Sequence, residues 1–160
     1  MTNFLDRIRS APTGLAPLAL LALLSIAPAP GLGAQASAVS VTNAWVREVP
    51  AGRKTTAVFL VLENSGPTER AVVSGSTVVA DTLELHEMKR EGGMMAMSPV
   101  QRIAVPAKGS VELRPGGLHL MLFGVRQPLA AGDTVPLRLV LDDGSRIEVR
   151  AEVRSMRPMP

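Results

Sequence analysis

The sequence of 160 residues contains only two histidines, and each of them stands two places before a methionine. The pairs are His86 with Met88 and His119 with Met121. Side chains two places apart on a β-strand point to the same face, so each imidazole would share a face with a thioether. Leucines alternate with both pairs and take the opposite face. The two His-x-Met pairs therefore predict a metal-facing surface on the side of the strands away from the leucines.

Further methionines surround the first of these pairs. Four of the seven methionines beyond the first residue fall within ten positions: Met88, Met94, Met95 and Met97. We interpret Glu91–Pro99 as a loop, because the Gly92-Gly93 pair is typical of a turn. Spacing alone does not select the binding sulfur, and any of the three methionines in this loop could serve as a ligand.

These residue types point to monovalent copper. Imidazole binds several transition metals, whereas the neutral, soft thioether is a typical ligand of Cu(I). Zinc sites normally recruit cysteine or carboxylate as well. The sequence contains no cysteine, so it offers neither a thiolate metal site nor thiol redox chemistry. Methionine is also the safer sulfur ligand in an oxidising compartment, where thiolates are lost to disulfides.

The same composition argues against two other classes of protein. An electron-transfer cupredoxin normally holds its copper with a cysteine thiolate, which this chain lacks. An enzyme would need a nucleophile, a general base or an open metal position, and both histidines are already assigned to the metal-facing surface. A β-sandwich interaction module is an alternative, with the methionines as an apolar contact patch for a protein partner.

Short apolar runs rich in Val, Leu and Thr must position these residues. Such runs are typical of β-strands, and turn residues separate them. We predict strands at Val39–Glu48, Thr55–Asn64, Glu69–Gly75, Thr82–Met88, Val111–Leu113, Leu118–Phe123, Thr134–Leu141 and Arg146–Val153. Asp143-Gly144 predicts a hairpin with a two-residue turn between the last two strands. The expected fold class is all-β, a Greek-key β-sandwich or barrel, with Trp45 and Phe59 in its core.

The first part of the chain has the pattern of a secretory signal peptide. Two arginines precede the apolar run Leu15–Ala27, and small residues follow it. We predict a cleaved signal peptide at residues 1–36, with cleavage after Ala36 or Ala38. The uninterrupted apolar part covers about half of the length that a spanning helix needs, so permanent membrane insertion is not expected. An uncleaved signal anchor is the alternative.

The predicted mature chain consists of a metal-binding domain at residues 37–153 and a short C-terminal tail at residues 154–160. The formal net charge of the whole sequence is +3, and basic and acidic residues are interspersed. This balance gives no electrostatic footprint for nucleic acid.

Together these features resemble the PCuAC family of periplasmic copper chaperones. The resemblance rests on the spacing of His86, Met97, His119 and Met121, and on the segments NAWVRE, TAVFLVLEN, LELHEM, GGMMAMSPV and RPGGLHLMLFGVRQPLAAGD. It implies a cupredoxin-like β-sandwich in the periplasm that binds one Cu(I) per chain through those four side chains. Met88 would then lie beside the site.

The resemblance also implies partners. Family members are associated with copper delivery to the binuclear copper centre of cytochrome c oxidase. It therefore implies the apo copper-containing subunit of that oxidase as recipient, with a thioredoxin-like protein that keeps the recipient's cysteines reduced. Some members carry a tail rich in histidine and methionine that binds Cu(II), but the tail here has only Met156 and Met159. Periplasmic copper storage or resistance is the alternative within the copper-binding class.

Overall fold

The computed structural model describes residues 38–155, which form ten β-strands. The strands are β1 (Val39–Arg47), β2 (Thr55–Asn64), β3 (Arg70–Thr77), β4 (Thr82–Glu91), β5 (Met94–Pro99), β6 (Ile103–Val105), β7 (Gly109–Leu113), β8 (Leu118–Phe123), β9 (Thr134–Leu141) and β10 (Arg146–Arg154). Within this part of the chain, no helix has the length and apolar character needed to span a membrane. The predicted signal peptide at residues 1–36 lies outside the described residues, as do residues 156–160 of the tail.

The strands form one hydrogen-bonded sheet that folds over on itself as a sandwich. Its order is β5-β4-β8-β2-β1-β10-β9-β3-β6, and β7 also pairs with β2. The two halves meet where the buried Asn64 side chain of β2 donates a hydrogen bond of 3.2 Å to the Val105 carbonyl of β6. The predicted all-β sandwich is confirmed.

Strand β1 joins the two layers, because it pairs with β2 on one side and with β10 on the other. Its register with β2 shifts between Thr42 and Trp45. Asn43, inside this shift, has a φ of +47°, in the left-handed region that asparagine tolerates better than most residues. A bulge of this kind bends a strand, which lets β1 serve both layers.

The core between the layers consists of aliphatic side chains. Leu85 of β4 faces it from the layer that contains the histidines, together with Leu120 and Leu122 of β8. Complete burial of a leucine side chain contributes about 1.5–3 kcal/mol to the free energy of folding. Because side chains alternate along a strand, these leucines direct both His-x-Met pairs to the other face.

The predicted loop at Glu91–Pro99 is wrong, because most of this segment is a strand. β4 continues to Glu91 and β5 begins at Met94, so the two strands form a hairpin closed by Gly92 and Gly93. These glycines have φ values of +58° and +86°, as a two-residue type I′ turn requires at both central positions. The register of β5 on β4 therefore fixes which methionines share a face.

The other predicted strands are present, and β2, β8 and β9 have the predicted boundaries. The three-residue strand β6 was not predicted. The antiparallel pairing of β9 with β10 is confirmed. Their connection is longer than a two-residue turn, because the Leu141 N–H donates to the Ser145 carbonyl over 2.9 Å and Gly144 takes a φ of +80°. This geometry is typical of a three-residue hairpin loop that ends in a left-handed residue.

Candidate metal centre

The two histidines lie directly opposite each other in neighbouring strands. His86 of β4 pairs with His119 of β8, and opposite residues of an antiparallel pair place their side chains on the same face. Their ring centroids are 5.9 Å apart. Both residues are buried, with exposures of 7% and 3%. The structure therefore brings the two predicted imidazole ligands together, and it buries them rather than leaving them on an open surface.

The two predicted thioether ligands reach this face by different routes. Met121 follows His119 by two positions on β8 and is also buried. Met97 lies on β5 opposite Met88, which follows His86 by two positions on β4. By register and alternation, all four predicted ligands and Met88 share one face of the sheet.

Strand register also separates the three methionines of the hairpin, which spacing could not do. Met94 alternates to the other face and is 76% exposed, whereas Met97 is 47% exposed. Met95 shares the face of Met97 but pairs with Arg90, further along the hairpin from the histidines. Among these three residues, the register favours Met97 as the ligand.

A cavity of about 450 Å³ opens onto this face. Its lining combines thioethers, an imidazole and an aromatic ring: Met88, Met97, Met121, His119 and Phe59. His86 is outside the lining and contacts the His119 ring. Three of the four predicted ligands therefore border the same cavity, and the fourth lies next to one of them.

A turn before β8 fixes the orientation of the His119 ring. The Gly117 N–H donates to the Arg114 carbonyl over 3.1 Å, and Gly116 has a φ of +79°. Pro115 followed by a residue of positive φ is typical of a type II turn. The Gly117 carbonyl lies 2.9 Å from Nδ1 of His119 and can only accept, so Nδ1 carries the proton. Nε2 of His119 is buried and has no hydrogen-bond partner in the described part of the chain.

Glu84 contacts the other imidazole. Its Oε2 lies 3.0 Å from Nε2 of His86, and alternation places both side chains on one face of β4. Nδ1 of His86 is buried without a partner among residues 38–155. Sequence reasoning missed Glu84. Its position two places before His86 was the available signal, but a glutamate at an alternating strand position is more typical of a solvated face.

The two unpartnered ring nitrogens fit a metal ion. Buried polar atoms without a hydrogen-bond partner are rare in folded proteins. A neutral imidazole that donates from one nitrogen has a lone pair on the other, which is the form that binds metals. Residues 38–155 contain no group of three or more His, Cys, Asp or Glu that could hold a metal, and the side chains that border the cavity beside His119 include three thioethers. Neutral imidazole and thioether together suit Cu(I).

Phe59 borders this site, and Trp45 packs against Phe59. Their ring centroids are 4.5 Å apart, and the Phe59 ring is 6.4 Å from that of His119. Phe59 lies on the face of β2 opposite Val58 and Leu60, which belong to the aliphatic core. Phe59 is buried, as predicted, but alternation along β2 turns it toward the histidines, so it packs outside the aliphatic cluster.

Charged side chains also surround the site. Arg47, Glu48 and Arg53 line the cavity.

Lys89 pairs with Glu87 over 2.7 Å on β4, and the hydrogen bond to this carboxylate raises the pKa of Lys89 above its ordinary value. Both residues alternate to the face of β4 opposite the histidine, so this ion pair lies apart from the imidazoles.

Sequence comparison finds relatives along most of the described chain. The family described as "Putative lipoprotein LpqE-like" matches residues 39–153. "Putative lipoprotein Lxx21020" of Leifsonia xyli subsp. xyli (strain CTCB07) is 36% identical over 123 residues, which cover 76% of this chain and 73% of the relative.

Solved structures of PCuAC proteins share the fold. The copper-bound PCuAC domain from PmoF2 has a TM-score of 0.64 at 16% identity, covering 74% of this chain and 94% of that domain. The solution structure of CuI-DR1885 from Deinococcus radiodurans has a TM-score of 0.58 at 32% identity, covering 77% of this chain and 83% of that protein. PCuAC domains are cupredoxin-like β-sandwiches, so the predicted fold class and the predicted resemblance are both confirmed.

Proposed function

Because the chain belongs to the LpqE-like family and has the fold of PCuAC domains, we propose that it is a copper chaperone. One observation carries the proposal: two buried imidazole nitrogens, which have no hydrogen-bond partner among the described residues, lie beside thioethers on one face of the sheet. The copper-bound states of the PmoF2 domain and of DR1885 support copper as the metal.

The proposed cargo is one Cu(I) ion per chain, bound by His86, Met97, His119 and Met121. These four ligands are neutral in their binding form, and a neutral set with thioether sulfur suits Cu(I) better than Zn(II). The register that places Met97 opposite Met88 supports the choice of Met97 from the hairpin. Met88 borders the same cavity, and its thioether lies beside the proposed ligands.

The proposed location is the periplasm. The signal-peptide pattern at residues 1–36 supports export, and so does the lipoprotein name of the Leifsonia xyli relative. In an oxidising compartment, imidazole and thioether persist as ligands where thiolates are lost to disulfides.

The proposed activity is transfer of Cu(I) by ligand exchange, without oxidation of the metal. Met97 should leave first, because it is half exposed on β5, an edge strand of the sheet. His119 and Met121 are buried on β8, which has a neighbouring strand on each side. The proposed recipient is the apo copper-containing subunit of cytochrome c oxidase, helped by a thioredoxin-like protein that keeps its cysteines reduced. The thiolates of the oxidase subunit bind Cu(I) more tightly than thioethers do, so the equilibrium favours transfer to the recipient.

Titration with Cu(I) against a competing chelator tests the copper-binding step. The wild-type protein should take up one equivalent, and His119→Ala should lose most of the affinity because it removes a buried ligand. Met94→Ala is the control, since its side chain lies on the other face of β5. Uptake of several equivalents would instead indicate copper storage. Absence of binding would favour a protein-interaction module with exposed methionines.

A further inference from the structure

We propose that Glu84 is a positioning residue of this site, an inference that rests on the proposed copper-binding function. Glu84 keeps the proton of His86 on Nε2, so that His86 presents Nδ1 to copper. His119 presents Nε2 instead. The two histidines thus bind one ion through different ring nitrogens.

The hydrogen bonds of the two rings assign these atoms. A neutral imidazole has one N–H donor and one lone pair. The Glu84 carboxylate accepts at 3.0 Å from Nε2 of His86, which leaves the lone pair on Nδ1. The Gly117 carbonyl accepts at 2.9 Å from Nδ1 of His119, which leaves the lone pair on Nε2. In each ring, the nitrogen with the lone pair is the buried atom that has no partner in residues 38–155.

The groups that hold the two rings differ in kind. The Gly117 carbonyl belongs to the backbone of a tight turn, so the fold itself fixes the orientation of His119. Glu84 contributes a side chain that is 48% exposed, on the face of β4 away from the core leucine Leu85. The orientation of His86 therefore depends on a residue that can be replaced without opening the core.

Glu84 also stands next to a proposed thioether ligand. It pairs across the sheet with Met121 of β8, and opposite residues of an antiparallel pair share a face. Its carboxylate thus places a negative charge near a cation whose proposed ligands are all neutral. Carboxylates that accept the second N–H of a ligating histidine recur in metal sites, and their loss typically lowers metal affinity about 10–100-fold.

NMR of the ring nitrogens in protein labelled with ¹⁵N-histidine tests the assignment, because Cu(I) is diamagnetic. In the metal-free protein, the proton should reside on Nε2 of His86 and on Nδ1 of His119. One equivalent of Cu(I) should shift the resonances of His86 Nδ1 and His119 Nε2 most strongly. The other nitrogen of each ring should keep its proton.

Variants at Glu84 separate positioning from a general effect on the fold. Glu84→Ala should leave His86 as a mixture of tautomers and lower Cu(I) affinity about 10–100-fold in chelator competition. Glu84→Gln should restore the tautomer and most of the affinity, because the amide oxygen accepts the same hydrogen bond. Glu87→Ala is the matched control, since it removes a carboxylate of the same strand that pairs with Lys89 on the other face.

Two results would overturn the inference and leave the proposed function intact. The first is Cu(I) binding in which His86 is ligated through Nε2. The second is a Glu84→Ala variant whose His86 tautomer and Cu(I) affinity match those of Glu87→Ala. A wild-type protein that binds no Cu(I) would overturn the inference and the proposed function together.

Discussion

Each histidine of the site uses one ring nitrogen for a hydrogen bond, while the other is buried and has no partner within residues 38–155. A buried polar atom left without a partner costs about 1–3 kcal/mol of stability. A metal ion that binds both free nitrogens offsets this cost, because it supplies the missing partner. At the scale of single residues, the metal-free fold is therefore less stable than it would be with both ring nitrogens hydrogen-bonded. In return, two imidazole lone pairs are available to a cation.

The methionines of β5 give the first prediction. Met97→Ala should weaken Cu(I) binding by about tenfold or more, or about 1.4 kcal/mol, because it removes a proposed ligand. Met94→Ala should bind like the wild type, since its side chain alternates to the other face. Chelator competition measures both variants. Equal losses of Cu(I) affinity in the two variants would show that Met97 is not the specific ligand of the hairpin.

Acidity gives a second prediction at the same scale. Cu(I) affinity should fall on acidification, because protons compete with the metal for imidazole and not for thioether. The sign follows from the ligand form, since only a deprotonated ring nitrogen binds. The measurement is chelator competition at each pH, corrected for protonation of the chelator. An affinity that stays constant down to the pH at which the protein unfolds would show that imidazole does not bind the ion.

At the scale of elements, the sequence predicted the long strands and not the methionine-rich one. β2 and β8 are apolar runs rich in residues typical of strands, and their predicted boundaries are confirmed. β5 contains only Met, Ala, Ser and Pro and so lacks the β-branched and aromatic residues that are typical of strands. Only its pairing with β4 reveals it as a strand. The faces of the two His-x-Met pairs could be read from alternation. Which nitrogen of each ring carries the proton could not be predicted, because this depends on contacts with Glu84 and with the Gly117 carbonyl.

The turn between β4 and β5 gives a prediction for this element. Gly93→Ala should lower the free energy of unfolding by about 1–2 kcal/mol, because the residue has a φ of +86°. It should also weaken Cu(I) binding up to about tenfold, because the turn sets the register of Met97. Gly144→Ala is the matched control. Its φ is +80°, and an added Cβ would meet nothing within 4 Å at either glycine. It should lower the free energy of unfolding in urea by a similar amount without changing Cu(I) affinity. Equal copper affinities in the two variants would contradict a role for the turn.

At the scale of the whole molecule, the sandwich gives the proposed ligands unequal access to solvent. Its aliphatic core fixes β8, which holds His119 and Met121 in buried positions. Met97 lies on an edge strand and is half exposed. A ligand set with one accessible member can be exchanged in steps, because an incoming ligand replaces the exposed one before the buried ones release the ion. This arrangement suits transfer better than permanent storage.

Transfer itself is the prediction at this scale. The Cu(I)-loaded protein is mixed with the reduced apo domain of the oxidase subunit, and the two proteins are then separated and analysed for metal. Most of the copper should be found on the recipient, because cysteine thiolates bind Cu(I) more tightly than thioethers. The same recipient with its cysteines oxidised to a disulfide should receive little copper, since its thiolates are then absent. Addition of the thioredoxin-like protein under reducing conditions should restore transfer. Copper that stays on the loaded protein in the presence of the reduced recipient, alone or with the helper, would favour storage or resistance over delivery.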